Sequence, residues 1–203
     1  MAIEFIYFDL GNVLLHFDHE RAARQMAVVA GVTEQQAWDA VFADGLSLRY
    51  EEGELTTRQF FEAFCERTGA APEFETLVHA ASDIFQMNES ILPIVEGLRA
   101  SGLRLGILSN TNDAHWSFVR RNYPFVEELF DVFALSFELR SLKPNSRIYD
   151  EAVLLSEVAA ESIFFTDDRD ENIEGARAAG FHASHFVTAD GLAADLRERQ
   201  LLP

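Results

Sequence analysis

Residues 5–15 read F-I-Y-F-D-L-G-N-V-L-L, an apolar and aromatic run that breaks at Asp9 and is followed by Gly11 and Asn12. Phe, Ile and Tyr in a short run without strict alternation predict a strand buried on both faces, the kind found in a parallel sheet. A carboxylate at the end of such a strand falls where open α/β sheets bind ligands. A plain strand closed by an Asx turn is the alternative reading of this stretch alone. Three later stretches weigh against it. Residues 105–111 (L-G-I-L-S-N-T) end in Ser109 and Asn110, residues 141–144 (S-L-K-P) carry Lys143, and residues 163–170 (I-F-F-T-D-D-R-D) end in Asp167 and Asp168.

Hydrophobic patterning places these stretches on one framework. After residue 15 no strand-like run occurs before about residue 88. Helices are expected there over 20–30, 34–42, 56–68 and 72–85, with a polar break at 46–55. Beyond residue 90 helices and strands alternate. Strands are expected at 104–109, 132–137, 163–166 and 182–187, and helices at 92–100, 113–122, 146–158, 173–179 and 191–200. This pattern calls for a parallel sheet wrapped on both faces. Right-handed crossovers then bring the strand ends at Asp9, Ser109 and Asp167 to one sheet edge.

In this order and spacing the four stretches resemble the motifs of the haloacid dehalogenase-like (HAD) hydrolase superfamily. F-D-L-G-N-V is similar to the opening of its sugar-phosphatase branch, typified by α-D-glucose-1-phosphate phosphatase. The resemblance covers the whole chain. It implies an α/β fold with a Rossmann-like, doubly wound parallel sheet formed by residues 1–15 and 89–203, and a small helical C1-type cap inserted at 16–88. It also implies a Mg²⁺-dependent phosphatase acting on a small phosphorylated metabolite, such as a sugar 1-phosphate, through an aspartyl-phosphate on Asp9. In that pattern Lys143 binds the transferring phosphoryl group, Ser109 donates to it, and Asn110 orients substrate or phosphate. Asp9, the Gly11 carbonyl and Asp168 would hold the metal, with Asp167 acting through water and Asn172 steadying the shell.

The residues carry part of this independently. Three carboxylates at one edge repel one another, and a hard divalent cation with oxygen ligands, such as Mg²⁺, relieves that repulsion. The chain has 16 Lys and Arg together, and Lys143 is the one lysine. A compact ammonium suits a crowded site of oxygens better than a planar guanidinium.

One departure from the pattern matters. Most phosphatases of the superfamily carry a second Asp two residues after the first, to protonate the leaving oxygen and then activate water. Here that residue is Gly11. A sugar 1-phosphate, with its more acidic anomeric oxygen, needs less help. His16, Asp18 and His19, just downstream, are candidate substitutes. Arg49, Tyr50 and Glu51 in the polar break are candidates for reading sugar hydroxyls.

Composition excludes other classes. A net charge of −18 opposes nucleic acid and anionic membrane as partners. No apolar run spans a bilayer, the first residues lack the basic, apolar and small-residue pattern of a secretory leader, so none is expected, and one cysteine, Cys65, allows no internal disulfide. A cytoplasmic monomer or homodimer is expected. Among rival readings, a haloacid dehalogenase has no use for the Asp167–Asp168 pair, and a phosphonatase lacks its cap lysine. A phosphomutase wants the absent acid. A non-catalytic binder of a phosphorylated metabolite draws its support from Gly11.

Overall fold

The computed structural model describes residues 2–202, so the outermost residues of the expected core range, 1 and 203, lie outside it. Strand β1 (Phe5–Phe8) is buried along its whole length and is the middle strand of a five-stranded parallel sheet. The others are β4 (Arg104–Ser109), β5 (Val132–Leu135), β6 (Ile163–Asp167) and β7 (His182–His185), in spatial order β5-β4-β1-β6-β7. Helices α6 (Leu92–Ala100), α7 (Asp113–Asn122), α8 (Phe125–Leu129), α9 (Ser136–Leu139), α10 (Ser146–Ser156), α11 (Asp170–Ala178) and α12 (Ala189–Glu198) make the connections and the outer layers. One buried cluster, with Ile6, Phe8, Leu105 and Ile107, fills one face of the sheet. Phe5, Tyr7, Leu108 and Phe165 fill the other, as the alternation of side chains across a strand requires. The α/β class and doubly wound parallel sheet are as the sequence pattern predicts.

Register sets the site. Phe8 lies opposite Ile107 on one side and Thr166 on the other. Asp9 follows directly on β1, and its N–H donates to the Thr166 carbonyl at 2.9 Å. Ser109 and Asp167 end the two flanking strands at the same edge.

The segment between β1 and α6 differs from expectation in two ways. It contains two short strands, β2 (Leu15–Phe17) and β3 (Phe85–Met87), paired antiparallel with Leu15 opposite Met87. Each has three residues, and the partner lies some seventy positions away, so no local pattern announces them. The polar break is also a helix. Between the strands run α1 (His19–Ala30), α2 (Glu34–Trp38) continued by a π turn (Asp39–Ala43), α3 (Leu46–Glu51), α4 (Thr57–Thr68) and α5 (Phe74–Ser82). Gly45 in the left-handed region opens α3, and Leu46 and Tyr50, four residues apart, point inward as one face. Asp18, Thr33, Thr56 and Glu73 cap the other helices with side-chain oxygens. Met26, Ala37, Tyr50, Phe64 and Leu77 give this helical insert a core of its own. Among the described residues no helix is long and apolar enough to cross a membrane.

A seam of polar contacts holds the insert to the sheet domain. Ser136 Oγ donates to the Glu51 carbonyl at 2.6 Å, and Thr57 Oγ1 donates to Asp113 at 2.7 Å. The Ala114 N–H donates to the Tyr50 hydroxyl at 3.0 Å. Gly53 sits at φ +73°, where a Cβ would overlap the Phe137 carbonyl. Gly53→Ala meets both the strained dihedral and that overlap. It should cost about 1–3 kcal/mol, a fall in Tm of roughly 2–12 °C by thermal unfolding. An unchanged Tm would mean that the seam is not closed in solution.

Candidate active site

Lys143 organises the sheet edge. Its Nζ donates to Asp9 Oδ1 at 2.8 Å, to Asp167 Oδ2 at 2.6 Å and to the Leu108 carbonyl at 2.8 Å. Three acceptors around one ammonium use its full donor capacity. The side chain is 1% exposed, above the ring of Phe165. Burial alone would push the ammonium's pKa down, but the carboxylates of Asp9 and Asp167 raise it above its ordinary value, so the lysine stays charged. Burial also raises the Asp9 carboxyl, with Lys143 opposing and Asp167 adding to the effect. Asn110 fixes the lysine's backbone. Its Oδ1 accepts from Lys143 N–H at 2.7 Å, and its amide donates to the Lys143 carbonyl at 3.0 Å. Asn110, expected to orient substrate or phosphate, also lines the cavity beside this bracket, and one N–H of its amide is left over from it.

Both oxygens of Asp167 are occupied. Oδ1 accepts from Arg169 N–H and from the Asn172 amide, each at 2.9 Å, and Oδ2 accepts from Lys143. Asn172 is itself fixed, because its carbonyl accepts from the Tyr149 hydroxyl at 2.7 Å. Asp168 is less buried, and its Oδ2 accepts from Asn12, which stands at φ 56° where the chain turns after Asp9. Asp9, Asp167 and Asp168 each offer an oxygen within 4.8 Å of the others. That donor set fits a hard divalent cation. With Asp167 engaged, a cation bound here would find Asp9 and Asp168 free to ligate it directly, beside the backbone at Gly11.

A cavity of about 320 Å³ opens above these groups. Asp9, Ser109, Lys143 and Asp168 line its floor, and Phe17, His19, Leu48 and Glu51 of the insert line its roof. Gly11 explains part of its shape. A Cβ there would come within 2.8 Å of the Phe17 ring, which occupies the space beside position 11. That ring packs on His19, and His19 on Phe42, with centroids 4.8 and 5.0 Å apart.

Several expected site residues lie elsewhere. His16 alternates to the outer face of β2, between inward Leu15 and Phe17, and is exposed away from the cavity. Asp18 caps α1 and pairs with Arg24 at 3.2 Å. Arg49 is exposed and pairs with Glu54 at 2.9 Å. Tyr50 is in the insert core, stacked on Phe60, with its hydroxyl bonded to Thr57. Of the three proposed substitute acids, only His19 reaches the cavity, and of the Arg49–Glu51 trio, only Glu51 does.

The sequence reading missed Phe17, His115 and Arg169. His115 lies one turn into α7, and its backbone N–H is bound by the capping Asn112. The N-x-x-H spacing behind strand β4 could have placed it near the sheet edge. Burial, reinforced by His19, pushes its pKa down to about 4.

Comparison with known proteins settles the family. Residues 3–180 match the family described as hydrolase: haloacid dehalogenase-like hydrolase. The chain belongs to this family. It is 26% identical to a D-ribitol-5-phosphate phosphatase of Bacteroides thetaiotaomicron, covering 88% of this chain and 89% of the relative. It is also 26% identical to the pyrimidine 5′-nucleotidase YjjG of Escherichia coli, covering 75% and 71%. A HAD family enzyme from Bacteroides thetaiotaomicron, solved in complex with magnesium and inorganic phosphate, superposes with a TM-score of 0.81 at 26% identity. That match covers 91% of this chain and 94% of the other.

Proposed function

We propose that this HAD protein is a Mg²⁺-dependent phosphatase of a small phosphorylated metabolite, and that residues 16–88 cap its active site. One observation carries the reading. A buried ammonium joins Asp9 to Asp167 while Asp168 stands beside them, so one carboxylate faces a site built for both a phosphoryl group and a cation. Asp9 Oδ1 is held by Lys143 and by Leu10 N–H at 2.7 Å, whereas Oδ2 has no hydrogen bond among the described residues. Oδ2 attacks phosphorus, the bond to the leaving oxygen breaks, and water then hydrolyses the aspartyl-phosphate. Lys143 and Ser109 stabilise the oxygens of the transferring group. Mg²⁺, when bound through Asp9, Asp168 and the Gly11 backbone, supplies the remaining positive charge.

The relatives named above act on a sugar-alcohol phosphate and on nucleotides, so a phosphorylated polyol, sugar or nucleoside is the substrate class this reading favours. A sugar 1-phosphate stays within it, because position 11 offers no acid. The Phe17 ring at that position also favours a second reading, a protein that binds the phosphometabolite without turning it over.

Phosphate release from a panel of sugar 1-phosphates, sugar 5- and 6-phosphates, nucleotides and p-nitrophenyl phosphate separates the two. Turnover with Mg²⁺ that disappears with chelator is the expected result. No release from any ester, including the aryl phosphate whose leaving group needs no acid, would remove the enzyme reading and leave the binding one.

A further inference from the structure

With position 11 unable to act and its space filled by Phe17, a proton donor has to come from elsewhere around the cavity. Besides Asp9, Lys143 and Asp168, its charged and titratable lining groups are Arg169, His115, His19 and Glu51. Arg169 pairs with Glu171, and a guanidinium is a donor of hydrogen bonds rather than a general acid. His115 is spent at both ring nitrogens, on Asn112 at 3.1 Å and on the Ala81 carbonyl at 3.2 Å. His19 lies between the rings of Phe17 and Phe42, where burial lowers its pKa against the opposing charge of Asp18 and so disfavours the protonated, donating form. Glu51 remains.

We infer that Glu51 is the general acid and base of this active site, supplied by the insert rather than by the strand that carries the nucleophile. The inference rests on the phosphatase reading. Three observations support it. First, the end of α3 is fixed at the cavity, with the Glu51 carbonyl bound by Ser136 at 2.6 Å and Gly53 packed against Phe137. Second, Glu51 lines both the catalytic cavity and an adjoining, mostly apolar hollow of about 40 Å³ between the insert and the start of α7. That hollow adds no further charged group to its surroundings, since Tyr50 there is hydrogen-bonded to Thr57. Third, burial pushes the Glu51 carboxyl up to about 7, against the opposing charge of Arg169. A group that titrates near working pH can both give and take a proton.

The proton balance closes over two steps. As Asp9 Oδ2 bonds to phosphorus, the bond to the leaving oxygen breaks. That oxygen keeps the electron pair and takes the Glu51 proton, so an alcohol departs. Glu51, now a carboxylate, takes a proton from water as the water oxygen attacks phosphorus. The bond to Asp9 breaks, and phosphate leaves with Glu51 protonated again.

The test compares Glu51→Gln with wild type on the best alkyl ester of the panel and on p-nitrophenyl phosphate. Loss of the acid should lower kcat/KM for the alkyl ester by roughly a hundredfold or more. The loss for the aryl ester should be much smaller, because its phenolate departs without a proton. Equal losses for both esters, or no loss for either, would overturn the assignment. The wild type offers a second readout that needs no variant. Its kcat/KM for the alkyl ester should fall as pH rises through about 7, where Glu51 gives up its proton, while the aryl ester shows no such limb. The same alkaline limb for both esters, or for neither, would overturn it too. A wild type that leaves p-nitrophenyl phosphate intact would instead overturn the phosphatase reading, and this one with it.

Discussion

Asp9→Asn should end turnover while leaving the protein folded. The amide oxygen can still accept from Lys143 at the 2.8 Å position of Oδ1 and from Leu10 N–H. The positioning contacts therefore survive. The nucleophile does not, because a neutral amide does not displace an alkoxide from phosphorus. Removing a member of a covalent catalytic set costs about 10⁴-fold or more in kcat, and a loss of that order is expected here. Stability should hold or rise without metal, since burial already disfavours the ionised form of Asp9 and Asn removes that cost. Single-turnover release of p-nitrophenolate together with thermal unfolding checks both halves. An inactive variant that is also unfolded would mean that Asp9 is structural before it is chemical.

Lys143→Met should have the largest effect on folding. The lysine neutralises two carboxylates, and Asp167 is fully buried. Without the ammonium, Asp9 and Asp167 face each other with no cation, and the Leu108 carbonyl loses its donor. Breaking a buried pair from one side costs about 3–5 kcal/mol. For a chain of this size that lowers Tm by roughly 6–20 °C. Arginine should not rescue it, because a planar fork cannot place three donors around one centre. Differential scanning calorimetry of metal-free protein measures this. A Tm within a degree or two of wild type would mean that the buried cluster is held neutral by protons rather than by Lys143.

The parts of this site that follow from strand ends were legible in the sequence, because their cause is local. An apolar run that stops at a carboxylate is visible at residues 5–9 and again at 163–168, and parallel topology puts both at one edge. The solitary lysine was legible for a related reason, since a chain that otherwise uses arginine keeps lysine where a fork does not fit. What was not legible depends on pairings made across long distances. The β2–β3 ribbon joins residues 15–17 to 85–87, and it alone decides that Phe17 enters the cavity and His16 leaves it. Arg49 and Tyr50 looked like loop residues because the short helix α3 is amphipathic over a single turn and a half. Once it forms, position 50 faces the insert core and Glu51 the cavity. Asn110 lies at the cavity as its strand-end position suggested, but its bracket on the backbone of Lys143 is one that no side-chain pattern reveals.

The central claim is a covalent phosphoryl group on Asp9. The most direct measurement is rapid acid quench of the wild type during Mg²⁺-supported turnover of p-nitrophenyl phosphate, followed by peptide mass spectrometry. The account predicts a phosphoryl adduct on the peptide carrying Asp9, absent with chelator and absent in Asp9→Asn. Phosphate release at full rate with no adduct, or with the adduct on Ser109, would contradict it.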